Sequence, residues 1–329
     1  MKNYPWKSSP VVTRYEGNPI LTPEQAPFPS SMTYNAGVVK FQGRYVMMFR
    51  NVYWDDPYKH YTQGMRLALS DDGLKWTIQK DFHFAIEGVV NPEDPRRTVI
   101  EGRVYVCFVD NSPDGLRGGV AVTDDFENFE LLTLTPPDNR DLIMFPEKIN
   151  GKFARLERPF RSYGMHGHEH HATWYAESPD CVHWGNTQIV LRVNDVPFCN
   201  LKNGSAGQPV KSDAGWVTLF HAAYVDPEIN YPTWRNEDIH WVYSTGVMLL
   251  DLENPGKLIG LAKEPLMVPE PPYDYETDGY RSYTLFPSGV ILEDDGTVRM
   301  YYGAADTVVC LATAKLSDLV ALCKPVETK

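Results

Sequence analysis

Five times along the chain a glycine opens a short apolar, aromatic-rich stretch: GRYVMMFR from Gly43, GRVYVCFVD from Gly102, GKFARLERP from Gly151, GWVTLFHAAY from Gly215 and GTVRMYYGAAD from Gly296. Most are followed by a second stretch of similar make, namely MRLALS, GGVAVT, TWYAES, GVMLLDL and VVCLATA. Three of these second stretches end in a related turn closed by an aromatic residue: SDDGLKW, TDDFENF and SPDCVHW. The Asp- and Gly-rich pieces carry turn chemistry, and the closing Trp or Phe suits packing between sheets. Short strands recurring about 50 to 80 residues apart predict a β-propeller, and five copies predict five blades. Helical periodicity is weak, and 26 prolines with 24 glycines leave little room for long helices, which disfavours a doubly wound α/β fold. No linker or low-complexity segment marks a second domain, so residues 1–329 are expected to form one all-β propeller domain. Stretches 51–64, 160–171 and 224–240 read as long loops between strands, which in a propeller gather on one face around the central channel.

The chain carries a net charge of −12, which argues against nucleic acid and an anionic membrane surface as partners. Its five cysteines, Cys107, Cys181, Cys199, Cys310 and Cys323, include no CxxC pair and leave one over. That pattern fits a reducing compartment better than a disulfide framework. The opening MKNYPWKSSP has no apolar signal core and no run approaches the length of a membrane span, so a soluble cytoplasmic protein is expected.

Against this acidic bulk, a scattered basic and phenolic set needs a purpose. Asp94 stands in NPEDPR. Alone, that string reads as a turn in which Pro fixes φ and Asp caps the backbone. Its functional reading is an acid that holds a proton near neutral pH, favoured by burial beside Glu93 and opposed by Arg96 if that side chain turns towards it. Arg140 precedes an apolar run, Arg158 ends KFARLERP, Lys202 stands in NLKNG, His221 ends WVTLFH and Tyr243 lies in HWVYSTG. Singly, each reads as a solvated charge or a hydrogen-bonded core group. Four of them flank strands at the equivalent end of successive repeats, and together they resemble a phosphate clamp: Arg gives forked donors, Lys a point charge, His and Tyr neutral donors. The histidines His166, His168, His170 and His171 match no closed metal-site spacing, and no metal or other cofactor is expected. No P-loop, dinucleotide fingerprint, G-x-S-x-G or H-E-x-x-H occurs.

From about Asn35 to Ala314 the chain also carries, in order, YNAGVV, DPR at Asp94, the Asn139-to-FPEKING segment, RP at Arg158, ESPDCVHWGN, LKNG, VYSTGVMLLDLENP, LFPSG and YYGAADT. This succession resembles glycoside hydrolase family 130, the inverting β-mannoside phosphorylases and their hydrolytic relatives. The resemblance implies a five-bladed β-propeller with its site in the central depression. It implies Asp94 as catalytic acid, acting through the 3-hydroxyl of the mannosyl unit. It further implies Arg140, Arg158, Lys202, His221 and Tyr243 as phosphate-binding residues, with Asn35, Arg50 and Asp306 contacting the sugar. Inorganic phosphate is then the co-substrate and an oligosaccharide the substrate; family members often assemble into homo-oligomers, in which loops such as 224–240 could reach a neighbouring subunit's site.

An inverting hydrolase needs an acid and a water-activating base, with carboxyls about 6.5–9.5 Å apart. Phosphate is already a nucleophile, so cations that hold it beneath the anomeric carbon replace the base. Glu93 and Asp141 are the carboxylates that could alter the acceptor subsites or serve a hydrolase as base. A third reading is a non-catalytic carbohydrate-binding propeller that stacks sugars on Tyr53, Trp54, Tyr231 and Trp234, but it gives the cationic set no role. Linkage and acceptor stay open between β-1,4- and β-1,2-mannosides.

Overall fold

The computed structural model describes residues 4–54, 61–159, 162–164, 167–169, 171–225 and 241–326. It is a five-bladed β-propeller. Blade 1 comprises Met32–Phe41, Arg44–Tyr53, Thr62–Ser70 and Thr77–Ile78, from the innermost strand outwards. Blade 2 comprises Pro92–Ile100, Arg103–Ser112, Gly115–Thr123 and Glu130–Leu134. Blade 3 is built from Asn139–Met144, Phe153–Pro159, Thr173–Ser178 and Gly185–Leu191. The inner strand of blade 4 comes in two pieces, Lys202–Ser205 and Val210–Ser212, both paired with Gly215–Val225, and Trp241–Leu250 and Leu258–Leu261 follow. Blade 5 contains Leu285–Leu292, Thr297–Ala304 and Val308–Lys315. Thr13–Arg14 pairs with the last of these strands, so the start of the chain closes the ring on its final blade. Lys324–Pro325 adds an outer strand to blade 4.

The glycine-led stretches are the second strands of the five blades. Gly43, Gly102, Gly151 and Gly296 make the tight turns into them at φ of 77° to 81°, a region where a Cβ is strained. The Asp turns recur with the same hydrogen bonds. The carboxylates of Asp72, Asp125 and Asp180 each accept from two backbone N–H groups, of Leu74 and Lys75, Glu127 and Asn128, and Val182 and His183. Asp251 makes a fourth copy in blade 4 that the sequence motif did not reveal.

Among the described residues, the five largest hydrophobic clusters lie one at each junction between blades. Val39, Val46 and Met48 of blade 1 meet Val104, Val106 and Phe108 of blade 2, while Val38, Met47 and Phe49 face Tyr301 and Leu311 of blade 5. Adjacent residues of one strand thus serve different junctions, as a period of two requires. The remaining clusters join blades 2 and 3, 3 and 4, and 4 and 5.

Some expectations change. The NPEDPR string is part of strand Pro92–Ile100, because Asp94-Pro95 forms a bulge within that strand and not a free turn. Arg140 lies inside its strand and not ahead of it, and the strand holding His221 runs on to Val225. Within 51–64, residues 51–53 and 62–64 are strand and 55–60 lie outside the described residues, while 160–171 contains a small hairpin, Ser162–Gly164 paired with Gly167–Glu169. Tyr231, Trp234, His166 and His170, and most of the 224–240 loop, lie outside the described residues, as does the side chain of His168. Among the described residues no helix is long and apolar enough to cross a membrane, and no group of three or more His, Cys, Asp or Glu could hold a metal ion. All five cysteines are free.

Candidate active site

The innermost strands of blades 1, 2 and 3 carry the same irregularity. Their pairing slips between Tyr34 and Gly37, between Glu93 and Arg96, and between Arg140 and Ile143. The residue entering each slip has a left-handed backbone: Asn35 at φ 49°, Asp94 at 55° and Asp141 at 59°. Asn and Asp tolerate that region better than other side chains. In a regular strand consecutive side chains point to opposite faces, whereas a bulge re-aims one of them. Here Tyr34 and Asn35, Glu93 and Asp94, and Arg140 and Asp141 all line the same pocket.

All nine residues singled out from the sequence line that pocket: Asp94, Arg140, Arg158, Lys202, His221, Tyr243, Asn35, Arg50 and Asp306. Blades 1, 2 and 5 contribute Asn35, Arg50, Asp94 and Asp306, and blades 3 and 4 contribute the cationic set. Trp54 is also in the wall, whereas Tyr53 lines a neighbouring pocket.

Asp94 Oδ1 accepts from Asn35 Nδ2 at 2.9 Å and meets Arg50 Nη1 at 3.4 Å. Arg50 Nη2 stands 2.9 Å from Glu93 Oε2, which also accepts from Gln63 Nε2 at 2.9 Å. Arg96 takes no part in this network. Its guanidinium crosses to blade 3 and meets Asp141 Oδ1 at 2.9 Å.

Asp141 is the hub of the cationic half. Its Oδ2 lies 2.7 Å from Arg158 Nη1 and 3.6 Å from His221 Nε2. Burial would raise its pKa, but Arg158 and Arg96 outweigh burial and hold the carboxyl well below the usual range. Burial pushes the pKa of His221 well down, opposed by Asp141 and reinforced by Arg158, so the ring is neutral. The neutral ring accepts at Nε2 from Arg158 Nη1, 2.9 Å away, and therefore carries its proton on Nδ1. His221 thus orients Arg158 as well as lining the site. Burial also lowers the pKa of Lys202, whose ammonium lies 5.1 Å above the Trp241 ring and 5.3 Å above that of Tyr243. On this side three cations face one carboxylate, enough to attract an anion into an acidic protein.

Gly204 makes the cluster possible. A Cβ there would collide with Asp141 Oδ2 and lie 2.5 Å from His221 Cε1. On the other side, burial raises the pKa of Asp306, and Arg281 Nε stands 3.6 Å from its Oδ2. Arg281, Tyr34, Tyr61, Tyr280, Thr284 and Phe286 are wall residues that the sequence reading missed. For Tyr34 the available signal was a pair of residues near the start of the inner strand, repeated in blades 1 to 3 as Tyr34-Asn35, Glu93-Asp94 and Arg140-Asp141.

A family model for glycoside hydrolase family 130, described as β-1,4-mannooligosaccharide phosphorylase, matches residues 4–325. The β-1,2-mannobiose phosphorylase of Listeria innocua is 28% identical over 94% of this chain and 97% of its own. Its solved structure in complex with β-1,2-mannobiose superposes with a TM-score of 0.80 over 94% of this chain and 98% of that one, at 27% identity. The β-1,4-mannooligosaccharide phosphorylase of Ruminococcus albus is 28% identical over 97% of this chain and 94% of its own. With a match spanning nearly its whole length, the chain belongs to glycoside hydrolase family 130 and is an enzyme of that family.

Proposed function

We propose that the protein is a β-mannoside phosphorylase. It cleaves a β-mannosyl-glucose or β-mannooligosaccharide with inorganic phosphate and inversion, giving α-mannose 1-phosphate and a shortened sugar. The observation that carries this reading is the division of the pocket, with Asp94 on blade 2 and the Arg140, Arg158, Lys202, His221 and Tyr243 set on blades 3 and 4. Phosphate binds the cationic half and supplies the nucleophile, so its placement does the work of a base. One of its oxygens attacks the anomeric carbon from the face opposite the leaving oxygen. The glycosidic C–O bond breaks, and the 3-hydroxyl of the mannosyl unit gives its proton to the leaving oxygen as it takes the one held by Asp94. Asp94 ends as a carboxylate and regains its proton from solvent. Since Oδ1 is engaged by Asn35 and Arg50, Oδ2 is the oxygen that carries the proton. Asn35, Arg50 and Asp306 hold the mannosyl unit. The whole chain acts as one soluble, cytoplasmic catalytic domain that uses no metal or other cofactor.

Phosphorolysis is favoured over hydrolysis because neither neighbouring carboxylate is free to activate water. Asp141 is held by Arg96 and Arg158, and Glu93 by Arg50 and Gln63. The phosphorylase relatives support the same choice. The test is incubation with β-1,4- and β-1,2-mannosides, with and without phosphate, following mannose 1-phosphate and free mannose separately. Phosphate-dependent mannose 1-phosphate is expected. Free mannose at the same rate in both conditions would establish a hydrolase instead.

A further inference from the structure

We infer that Arg97 is a positioning residue that sets the contact between Asn35 and Asp94 by tying the bulge of blade 1 to the bulge of blade 2. The inference rests on the role proposed above for Asp94. Asn35 Nδ2 and Asp94 Oδ1, 2.9 Å apart, belong to different blades, so their distance depends on how the two inner strands are held against each other. Much of that junction is the apolar cluster around Val39, Val46, Met48, Val104, Val106 and Phe108. Apolar burial is non-directional, so it draws the blades together without choosing where two polar groups meet.

Arg97 supplies the direction. It stands just after the Asp94 bulge in strand Pro92–Ile100, and its side chain is buried. Its Nη2 donates to the carbonyl oxygen of Gly37 at 2.7 Å and also to that of Val46, both on blade 1. Gly37 is the residue at which pairing resumes after the blade 1 bulge that holds Asn35. The backbones touch at the same point. A Cβ on Gly37 would lie 2.6 Å from the carbonyl oxygen of Pro95 and 3.1 Å from Arg96 Cα, so the two bulges meet with no side chain between them. Arg96 makes the corresponding reach in the other direction, to Asp141 in the bulge of blade 3. Consecutive side chains of a strand leave on opposite faces, so the two adjacent arginines brace the Asp94 bulge against both neighbours.

The energetics point the same way. Arg96 is paired with a carboxylate, whereas Arg97 lies 5.4 Å from the centre of the Phe126 ring, and burial lowers its pKa with no anion opposing the shift. A buried cation held by carbonyl dipoles alone is costly to desolvate, and an apolar residue of similar volume would hold the blades together as well or better. What the guanidinium adds is a donor aimed at one carbonyl. A catalytic contact built across two blades needs such a support to stay within about 0.5 Å of its working geometry.

The experiment is a double-mutant cycle of Arg97→Met with Asn35→Ala, read as kcat for the mannoside at saturating phosphate. Arg97→Met should lower kcat about ten- to a hundredfold, the scale of a misplaced catalytic group, with the KM for phosphate unchanged because the clamp lies on blades 3 and 4. In the Asn35→Ala background the same substitution should cost less than about threefold, since the contact it sets is already gone. An equal factor in both backgrounds, or a lower melting temperature with kcat unaltered, would make Arg97 a support of the fold alone and overturn the inference. Gly37→Ala probes the contact with Arg97 in place and serves if Arg97→Met fails to fold. Its methyl must push the two bulges apart, so it should reproduce the selective loss of kcat, and an unchanged kcat would overturn the inference. A further measurement needs no turnover. The side-chain amide signal of Asn35 in 15N-labelled protein, assigned by its loss in Asn35→Ala, should move in either folded variant, and an unmoved signal would sink the inference by itself. Failure of the wild type to form mannose 1-phosphate from any mannoside would instead defeat the phosphorylase reading and leave the amide signal to decide the role of Arg97.

Discussion

Asp141 Oδ2 and Arg158 Nη1 lie 2.7 Å apart on neighbouring strands of one blade, with both side chains almost wholly withdrawn from water. Arg96 reaches the same carboxylate at 2.9 Å from the next blade, so the single acid neutralises charge from two strands that approach the channel separately. Removing one partner of a buried ion pair costs more than the pair contributes, because the survivor stays desolvated.

Asp141→Asn should therefore destabilise the fold by about 3 kcal/mol or more at pH 7, measured by urea unfolding. The pH dependence has a definite sign. The folded-state pKa of Asp141 lies below its unfolded value, so its contribution is present above about pH 3.9 and is lost as pH falls through the folded value. The gap between wild type and variant should stay constant between pH 6 and 8 and narrow at pH 3. A gap of the same size at pH 3 would mean that the ion pairs do not set it.

Gly204→Ala tests the same cluster from the backbone side. The added methyl has no space beside Asp141 and His221, so the carboxylate must move and take Arg158 with it. The KM for phosphate should rise about tenfold, equivalent to about 1.4 kcal/mol of binding, with a smaller change in the KM for the mannoside. Equal losses for both substrates would place the damage elsewhere.

Much of the propeller was legible because the second strands are buried on both faces. Stretches such as YVMMF after Gly43 and VYVCFV after Gly102 feed two inter-blade clusters at once and so read as unbroken apolar runs. The innermost strands were harder to see, since PEDPRRTVI is charged, bears prolines and changes direction at a bulge. The same bulges explain why the site residues could be listed but not connected. Chain proximity put Arg96 beside Asp94, whereas the backbone at Asp94 sends Arg96 to Asp141 and leaves Asp94 to Arg50. Arg281 was missed because its partner Asp306 lies on a different turn of the last blade, and no local pattern joins them.

Lys202 would give the proposed phosphate site its own pH limit. Burial lowers its pKa below the ordinary lysine value, so the ammonium loses its proton earlier than an exposed lysine as pH rises. The KM for phosphate should climb on the alkaline side. Lys202→Met should raise it about a hundredfold at neutral pH and flatten the climb, as loss of a buried charge-assisted contact would. Initial rates against phosphate at each pH check this, and an equally steep climb in the variant would assign the titration to another group.

Asp94→Asn isolates the acid. Asn occupies a left-handed backbone as readily as Asp, and its amide oxygen can still accept from Asn35, so the bulge should survive. Glu93 keeps its contacts with Arg50 and Gln63, and the cationic half lies on other blades. What disappears is the proposed proton donor. Formation of mannose 1-phosphate should fall by about 10²- to 10⁴-fold, the usual contribution of a positioned acid, while the melting temperature stays within a few degrees of wild type. Phosphate affinity, read by calorimetry, should also persist, because no clamp residue is touched. Turnover at the wild-type rate in a folded variant would remove Asp94 from the mechanism, and with it the division of labour between the two halves of the pocket.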